Sequence, residues 1–271
     1  NEDYKKDVSS CEDWYYDSIR GCIEIYNIRT EQTSYLDYCD LSITAESLKA
    51  NEPKSSPVND PDLEYLTPSE EFETVERGNP LPYKLPLEER LKIGMERKTW
   101  RLDIIPDPNS DPELGNPMSR EKNTALSFKD LMKLADNKSA KFLKVMTCNN
   151  LYTPLGMGLW EGVPLRDVIW KSNPKANIRR AFYYGHHNND PKQMFQSSLP
   201  IGRILEDPPG DHPIILCYKL NGQWLSGKRG GPVRMIVPEA YGFKSVKWLK
   251  SVVLTNEPAA NDTYANGNND I

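Results

Sequence analysis

Twenty-two prolines are scattered through the 271 residues, and they limit the architectures this chain can adopt. Each proline removes an amide donor and fixes φ, so helices and central strands stop within a few residues of it. Short helices and irregular strands remain, which points to an α+β domain with mixed sheets and short helices, not a doubly wound parallel sheet. The length suits one large domain or two modest ones. Hydrophobic residues are 38% and charged residues 27% of the chain. That is a soluble globular composition, with no apolar run near the ~18 residues of a membrane span.

Charge is unevenly placed. Residues 1–60 carry 13 Asp and Glu against 6 Lys and Arg, a net of −7, while the remainder is at +2. A whole-chain charge of −5 argues against a nucleic-acid partner, because neutralising phosphates needs a basic face. One small anion in a local basic pocket is still compatible. The acidic stretch ends in Asn51-Glu52-Pro53-Lys54-Ser55-Ser56-Pro57, a linker composition. It is nevertheless rich in aromatics, including Trp14, Tyr15, Tyr16, Tyr26, Tyr35 and Tyr38, which is unlike plain disorder. Residues 1–60 therefore read as an extension packing on a core or a partner, 61–256 as the principal domain and 257–271 as a terminal segment. The opening at Asn1, without Met or a basic-then-apolar leader, reads as a mature N-terminus.

Within the principal domain, hydrophobic spacing predicts strands at 100–105, 140–147, 180–184, 214–219, 233–237 and 246–254, with short helices at 85–92, 165–170 and 200–205. A further helix starts at Ser127, a residue suited to the N-cap. No repeat or low-complexity tract interrupts this pattern.

Two groups of residues can carry chemistry. Cys148 follows an apolar strand, where a lone cysteine is either a small buried hydrophobe or, as a thiolate, a nucleophile or soft metal ligand. None of the five cysteines lies in CxxC or CxxCH, so neither a zinc ribbon nor covalently attached haem is supported. His186, His187 and His212 are the only histidines, and their spacing assembles neither a zinc site nor a cysteine-protease pair. The second group is Lys228-Arg229-Gly230-Gly231-Pro232-Val233-Arg234 with Tyr241-Gly242-Phe243-Lys244-Ser245-Val246-Lys247-Trp248. Five cations interleaved with glycines form either a solvated strand edge or an anion pocket, where glycine admits close backbone approach and Arg clamps phosphate.

Five blocks occur in order: Gly158-Leu159-Trp160-Glu161-Gly162-Val163-Pro164-Leu165-Arg166-Asp167-Val168, Ser198-Leu199-Pro200, Cys217-Tyr218-Lys219-Leu220-Asn221-Gly222, Gly230-Gly231-Pro232-Val233-Arg234-Met235-Ile236-Val237-Pro238, and Gly242-Phe243-Lys244-Ser245-Val246-Lys247-Trp248-Leu249. Together they resemble the molybdopterin-binding domain of the sulfite oxidase family over about residues 66–269. The resemblance implies that family's α+β fold and a Mo-molybdopterin cofactor. It implies Cys148 as the metal's thiolate ligand. It assigns Asn79, His186, Arg234, Ser245, Val246 and Lys247 to cofactor contacts, with Arg229 standing where relatives carry His or Asn. Arg77 is placed near the metal, and Tyr264, in Asn261-Asp262-Thr263-Tyr264, becomes a hydrogen-bond donor to a metal oxo group.

The family's ligating cysteine is closely followed by arginines that bind the oxyanion. Here Cys148-Asn149-Asn150-Leu151-Tyr152-Thr153 supplies no cation, which weakens the expectation for sulfite itself. The resemblance implies an oxidoreductase that moves an oxygen atom with two electrons, acting on a small oxyanion or a sulfoxide-type molecule. Electrons are expected to pass to a c-type cytochrome or other redox partner. A homodimer or a partner subunit and a periplasmic location are also expected. The family's dimerisation domain would begin near Ile271. The alternatives are a sulfoxide reductase of the same family and a metal-free binding module.

Overall fold

A computed structural model describes residues 65–257 apart from 69, 77, 79, 149, 150, 152 and 187–194, together with the backbone of three N-terminal strands. The chain divides into two compact units, Asn1–Glu64 and Tyr65–Ile271.

In the first unit, β1 (Trp14–Ile19), β2 (Cys22–Asn27) and β3 (Thr33–Asp37) form an antiparallel meander. Trp14 lies opposite Asn27, and Cys22 lies opposite both Ile19 and Asp37. No strand is predicted for this acidic stretch from its hydrophobic spacing, although its β-branched and aromatic residues favour pairing. Cys11 and Cys39 lie outside the described residues.

The second unit runs α1 (Leu87–Lys92), β4 (Arg101–Pro106), β5 (Leu126–Ser127), α2 (Phe128–Lys138), β6 (Ala140–Met146), β7 (Gly156–Pro164), α3 (Leu165–Ile169), β8 (Arg180–Gly185), β9 (Gln196–Pro200), α4 (Ile201–Leu205), β10 (Ile215–Leu220), β11 (Gln223–Trp224), β12 (Arg234–Ile236) and β13 (Leu249–Thr255). Among the described residues no helix exceeds the 11 residues of α2, and none is long and apolar enough to cross a membrane. Ser127 caps α2, its hydroxyl accepting from the Asp130 amide at 3.1 Å, which satisfies an amide that the first turn leaves unpaired.

Two five-stranded sheets carry the unit. In one, the order is β5-β4-β13-β8-β9, with β13 parallel to β4 and antiparallel to β8. In the other, β6, β7 and β10 are successive antiparallel neighbours, and β10 pairs on its far side with both β11 and β12. The expected mixed-sheet α+β architecture is therefore present. Four strands, β5, β7, β9 and β11, were not anticipated. Three glycines and a terminal proline hide β7, yet Gly162 is required there: a Cβ at that position would lie 2.4 Å from the Leu216 carbonyl oxygen of β10. The strand predicted from 246 begins only at Leu249, because 242–248 is spent on a 3-10 turn, Gly242–Lys244, and the run behind it.

Along β6 the side chains alternate, with Phe142, Lys144 and Met146 turned inward and Lys141, Leu143 and Val145 outward. Phe142, Met146, Trp160, Ile215 and Cys217 form the core of this sheet. β6 ends at Met146, two residues short of Cys148.

Candidate functional site

Sequence-distant stretches meet around one cavity. Its lining combines Met146 and Cys148 from the end of β6, the 72–75 segment, Leu155, Phe195 and the run that supplies Arg229, Arg234, Ser245 and Lys247. The open space is about 60 Å³.

Cys148 is half-buried, whereas Cys217, the other described cysteine outside the N-terminal strands, is buried. Burial pushes the Cys217 thiol up to about 12, and its Sγ donates to the Lys219 carbonyl at 3.2 Å. That thiol is chemically quiet at neutral pH. Cys148 is thus the accessible sulfur of the pair. Gly242 fixes the backbone just before it, its amide donating to the Thr147 carbonyl at 2.6 Å. A Cβ on Gly242 would stand 2.6 Å from that same oxygen, so the approach needs glycine.

A lysine ties β6 to the same loop. Lys144 is buried, and its Nζ donates to the Pro238 carbonyl at 2.7 Å and the Ala240 carbonyl at 2.8 Å. Burial pushes its pKa down to about 8, against about 10.4 in an unfolded chain. Between these values the unfolded chain binds more protons, so folding is favoured increasingly as pH rises through the window. Wild-type protein should accordingly gain about 2 kcal/mol relative to Lys144→Met between pH 7.5 and 10.5, read from urea midpoints. A difference independent of pH would refute the assignment.

Arg234 opens β12 opposite Cys217 on β10. Its Nη1 donates to the Arg229 carbonyl at 2.9 Å and its Nη2 to the Ser245 carbonyl at 2.6 Å, while the guanidinium lies 5.4 Å from the centre of the Trp160 ring. Its Nε is buried without a hydrogen-bond partner. Burial lowers the guanidinium to about 10, still charged at neutral pH, and no described carboxylate pairs with it. A buried charge in that condition is costly unless an anion joins it.

Arg229 is also buried, with its guanidinium 4.8 Å from the Phe72 ring centre. It donates to the carbonyls of Phe72 and Glu73, the latter at 2.6 Å. Burial lowers its pKa. Lys247 donates to the Thr74 hydroxyl and to the Val75 carbonyl at 3.0 Å. Ser245 is buried, its hydroxyl accepting from the Val237 amide at 3.2 Å.

Five of the sequence-expected residues, Cys148, Arg229, Arg234, Ser245 and Lys247, therefore share one cavity. Val246 is buried behind it, with its carbonyl accepting from the Met235 amide at 2.9 Å. His186 is buried beside a separate small cavity with Arg120 and Lys250, on which Trp248 also borders. Arg77, Asn79 and Tyr264 lie outside the described residues. The 72–75 segment was missed, since an isolated Phe-Glu-Thr-Val run has no distinctive pattern. Its one signal was its place immediately before Glu76-Arg77-Gly78-Asn79. In chemical terms, the cavity sets a soft, accessible sulfur in one space with three cations, one of which has an unused buried donor. That combination suits a soft metal carried on an anionic organic group.

Comparison with known proteins bears on the family and on the class of cofactor. The model of the oxidoreductase molybdopterin binding domain matches residues 94–263. The sequence is 35% identical over 107 residues to a nitrate reductase [NADPH] of Beauveria bassiana, covering 40% of this chain and 12% of that one. It is 27% identical over 200 residues to the mitochondrial sulfite oxidase of Drosophila melanogaster, covering 72% of this chain and 32% of that one. The chain thus spans less than a third of either relative. Among solved structures, the sulfane dehydrogenase SoxCD of Paracoccus pantotrophus aligns with a TM-score of 0.47 at 18% identity, over 60% of this chain and 39% of that one.

Proposed function

Because this chain belongs to the oxidoreductase molybdopterin-binding domain family, we propose that it forms the catalytic domain of a molybdenum enzyme that moves one oxygen atom together with two electrons. The family's cofactor is molybdopterin, which when bound supplies a redox-active metal able to exchange oxygen. Cys148 would hold the metal through its thiolate, a soft anionic donor suited to a metal that changes oxidation state. Arg229, Arg234 and Lys247, with Ser245, would hold the cofactor's phosphate by charge-assisted hydrogen bonds. Phe72, Val75, Met146, Leu155 and Phe195 line the same space, exclude water and so strengthen each electrostatic contact.

The observation carrying this reading is the single cavity joining Cys148 to Arg234, a buried cation whose Nε has no partner. The donor set fits an anionic, metal-bearing pterin. Arg77 and Tyr264 are proposed on the substrate side, with Asn79 on the pterin. Electrons would leave singly to a carrier outside this sequence, a c-type cytochrome or another redox centre.

A second reading, reduction of a sulfoxide-type substrate, is favoured by one feature. No cation lies between Cys148 and Thr153, and one charge-assisted bond fewer weakens binding of an anion such as sulfite by about 1.5–3 kcal/mol. Elemental analysis, combined with turnover of sulfite and of a sulfoxide using artificial electron carriers, tests both. About one molybdenum per chain with turnover of either substrate is expected. Protein expressed in a cofactor-making host that carries neither molybdenum nor pterin would leave the metal-free binding module as the better account.

A further inference from the structure

The four oxygens that engage Arg229 and Lys247 from the 72–75 segment belong to the chain itself. They are the carbonyls of Phe72, Glu73 and Val75 and the hydroxyl of Thr74. Two cations that lie in the anion cavity thus already hold oxygen acceptors at the positions where phosphate oxygens would compete for them. The open space tells the same story: it is about 60 Å³, whereas sites for organic cofactors run to ~300–1,000 Å³. A pterin cannot enter unless something withdraws.

The Phe72 ring and the Tyr83 ring bracket the segment, and what lies between them is held by hydrogen bonds that can be exchanged. At one end the Phe72 ring packs edge-on against Trp160, with centroids 5.8 Å apart. It fits there because Gly156 has no side chain, a Cβ on which would lie 2.9 Å from the ring. The Glu73 amide donates to the Leu155 carbonyl at 2.8 Å. At the other end Tyr83 stacks on Trp248 at 6.3 Å, and its hydroxyl donates to the Glu76 carboxylate at 2.6 Å. Between these anchors Gly78 holds φ at 94°, a left-handed conformation that glycine enters without penalty, so the chain can pivot there.

We propose that the 73–76 segment is a latch over the cofactor cavity, held shut by the Tyr83–Glu76 hydrogen bond. Its oxygens keep Arg229 and Lys247 partnered until the cofactor's phosphate replaces them and the segment swings outward about Gly78. The proposal rests on the molybdopterin reading of the site. It gives the closed state a purpose, since the buried guanidinium of Arg229 left without these acceptors would destabilise the chain before the cofactor arrives.

Hydrogen exchange, read by mass spectrometry on the full chain with and without molybdopterin, tests it. The reporter is the Glu73 amide, and the Thr67 amide, which donates to the Met157 carbonyl at 2.9 Å, is the internal control. In the loaded protein, Glu73 should exchange at least about fivefold faster than in the cofactor-free protein while Thr67 is unchanged. Tyr83→Phe keeps the ring stack and removes the hydroxyl. In the cofactor-free chain it should speed Glu73 exchange about three- to tenfold, as expected for one hydrogen bond, and should accelerate cofactor uptake by a similar factor. If a chain shown to hold one pterin exchanges Glu73 as the cofactor-free chain does, or if Tyr83→Phe leaves its rate unchanged, the latch is refuted while the cofactor reading stands. If no pterin is retained at all, the cofactor reading itself fails and the latch falls with it.

Discussion

Cys148→Ser should abolish turnover while leaving most of the pterin in place. The two functions separate because the groups proposed to serve them are different. Serine is nearly the same size as cysteine but offers a hard, protonated oxygen where a redox-active metal requires a soft anionic donor. A loss of about a thousandfold, ~4 kcal/mol of transition-state stabilisation, is the expected scale. The organic part of the cofactor would be held elsewhere, by Arg229, Arg234 and Lys247, so pterin released on denaturation should fall by less than about twofold. Cys217 cannot substitute, since it is buried with its Sγ turned to the Lys219 carbonyl. Cys217→Ala should therefore leave turnover largely intact. Full activity in Cys148→Ser would overturn the ligand assignment.

Arg234→Met should move stability and cofactor binding in opposite directions. In the cofactor-free chain the guanidinium is a buried charge without a described carboxylate, held by two carbonyls and the face of Trp160. Replacing such a charge with an apolar side chain of similar length removes its desolvation cost, and the lost hydrogen bonds and ring contact offset only part of that. A net gain of about 1–2 kcal/mol in urea unfolding is expected, on the scale seen when buried ionic groups give way to hydrophobes. In the same variant pterin retention should fall about a hundredfold or more, because a fork of charge-assisted donors is lost. Arg234→Lys should recover little of it, since an ammonium cannot reproduce the fork. A variant that is less stable without cofactor yet binds pterin normally would show that Arg234 is structural only.

How far the sequence revealed this arrangement depended on the kind of signal. Strands with clear alternation, such as 100–105 and 140–147, were legible, as was the helix that Ser127 caps. β7 was not, because its inward positions at Gly158 and Gly162 are kept small by Leu220 and the β10 backbone, and glycine is a poor local marker of a strand. At the site, the cations and Cys148 were visible as residue types, but their convergence was a matter of topology. Only the pairing of Cys217 with Gly162 on one side and Arg234 on the other brings β12 to the sheet that ends beside Cys148. The 72–75 segment stayed hidden because it acts mainly through backbone oxygens, which every residue possesses.

The distance along the chain between the cavity's walls has a consequence for biosynthesis. Arg229 reaches back 156 residues to the Glu73 carbonyl, and Lys247 reaches back 173 to Thr74. β13, which completes the neighbouring sheet between β4 and β8, ends only at Thr255. A nascent chain that has not yet reached residues 229–247 has a sulfur but no cations opposite it. Closing contacts of such long range also slows folding. The cavity is therefore among the last features of this unit to form, and the pterin must be delivered only after the chain through Lys247 has been made.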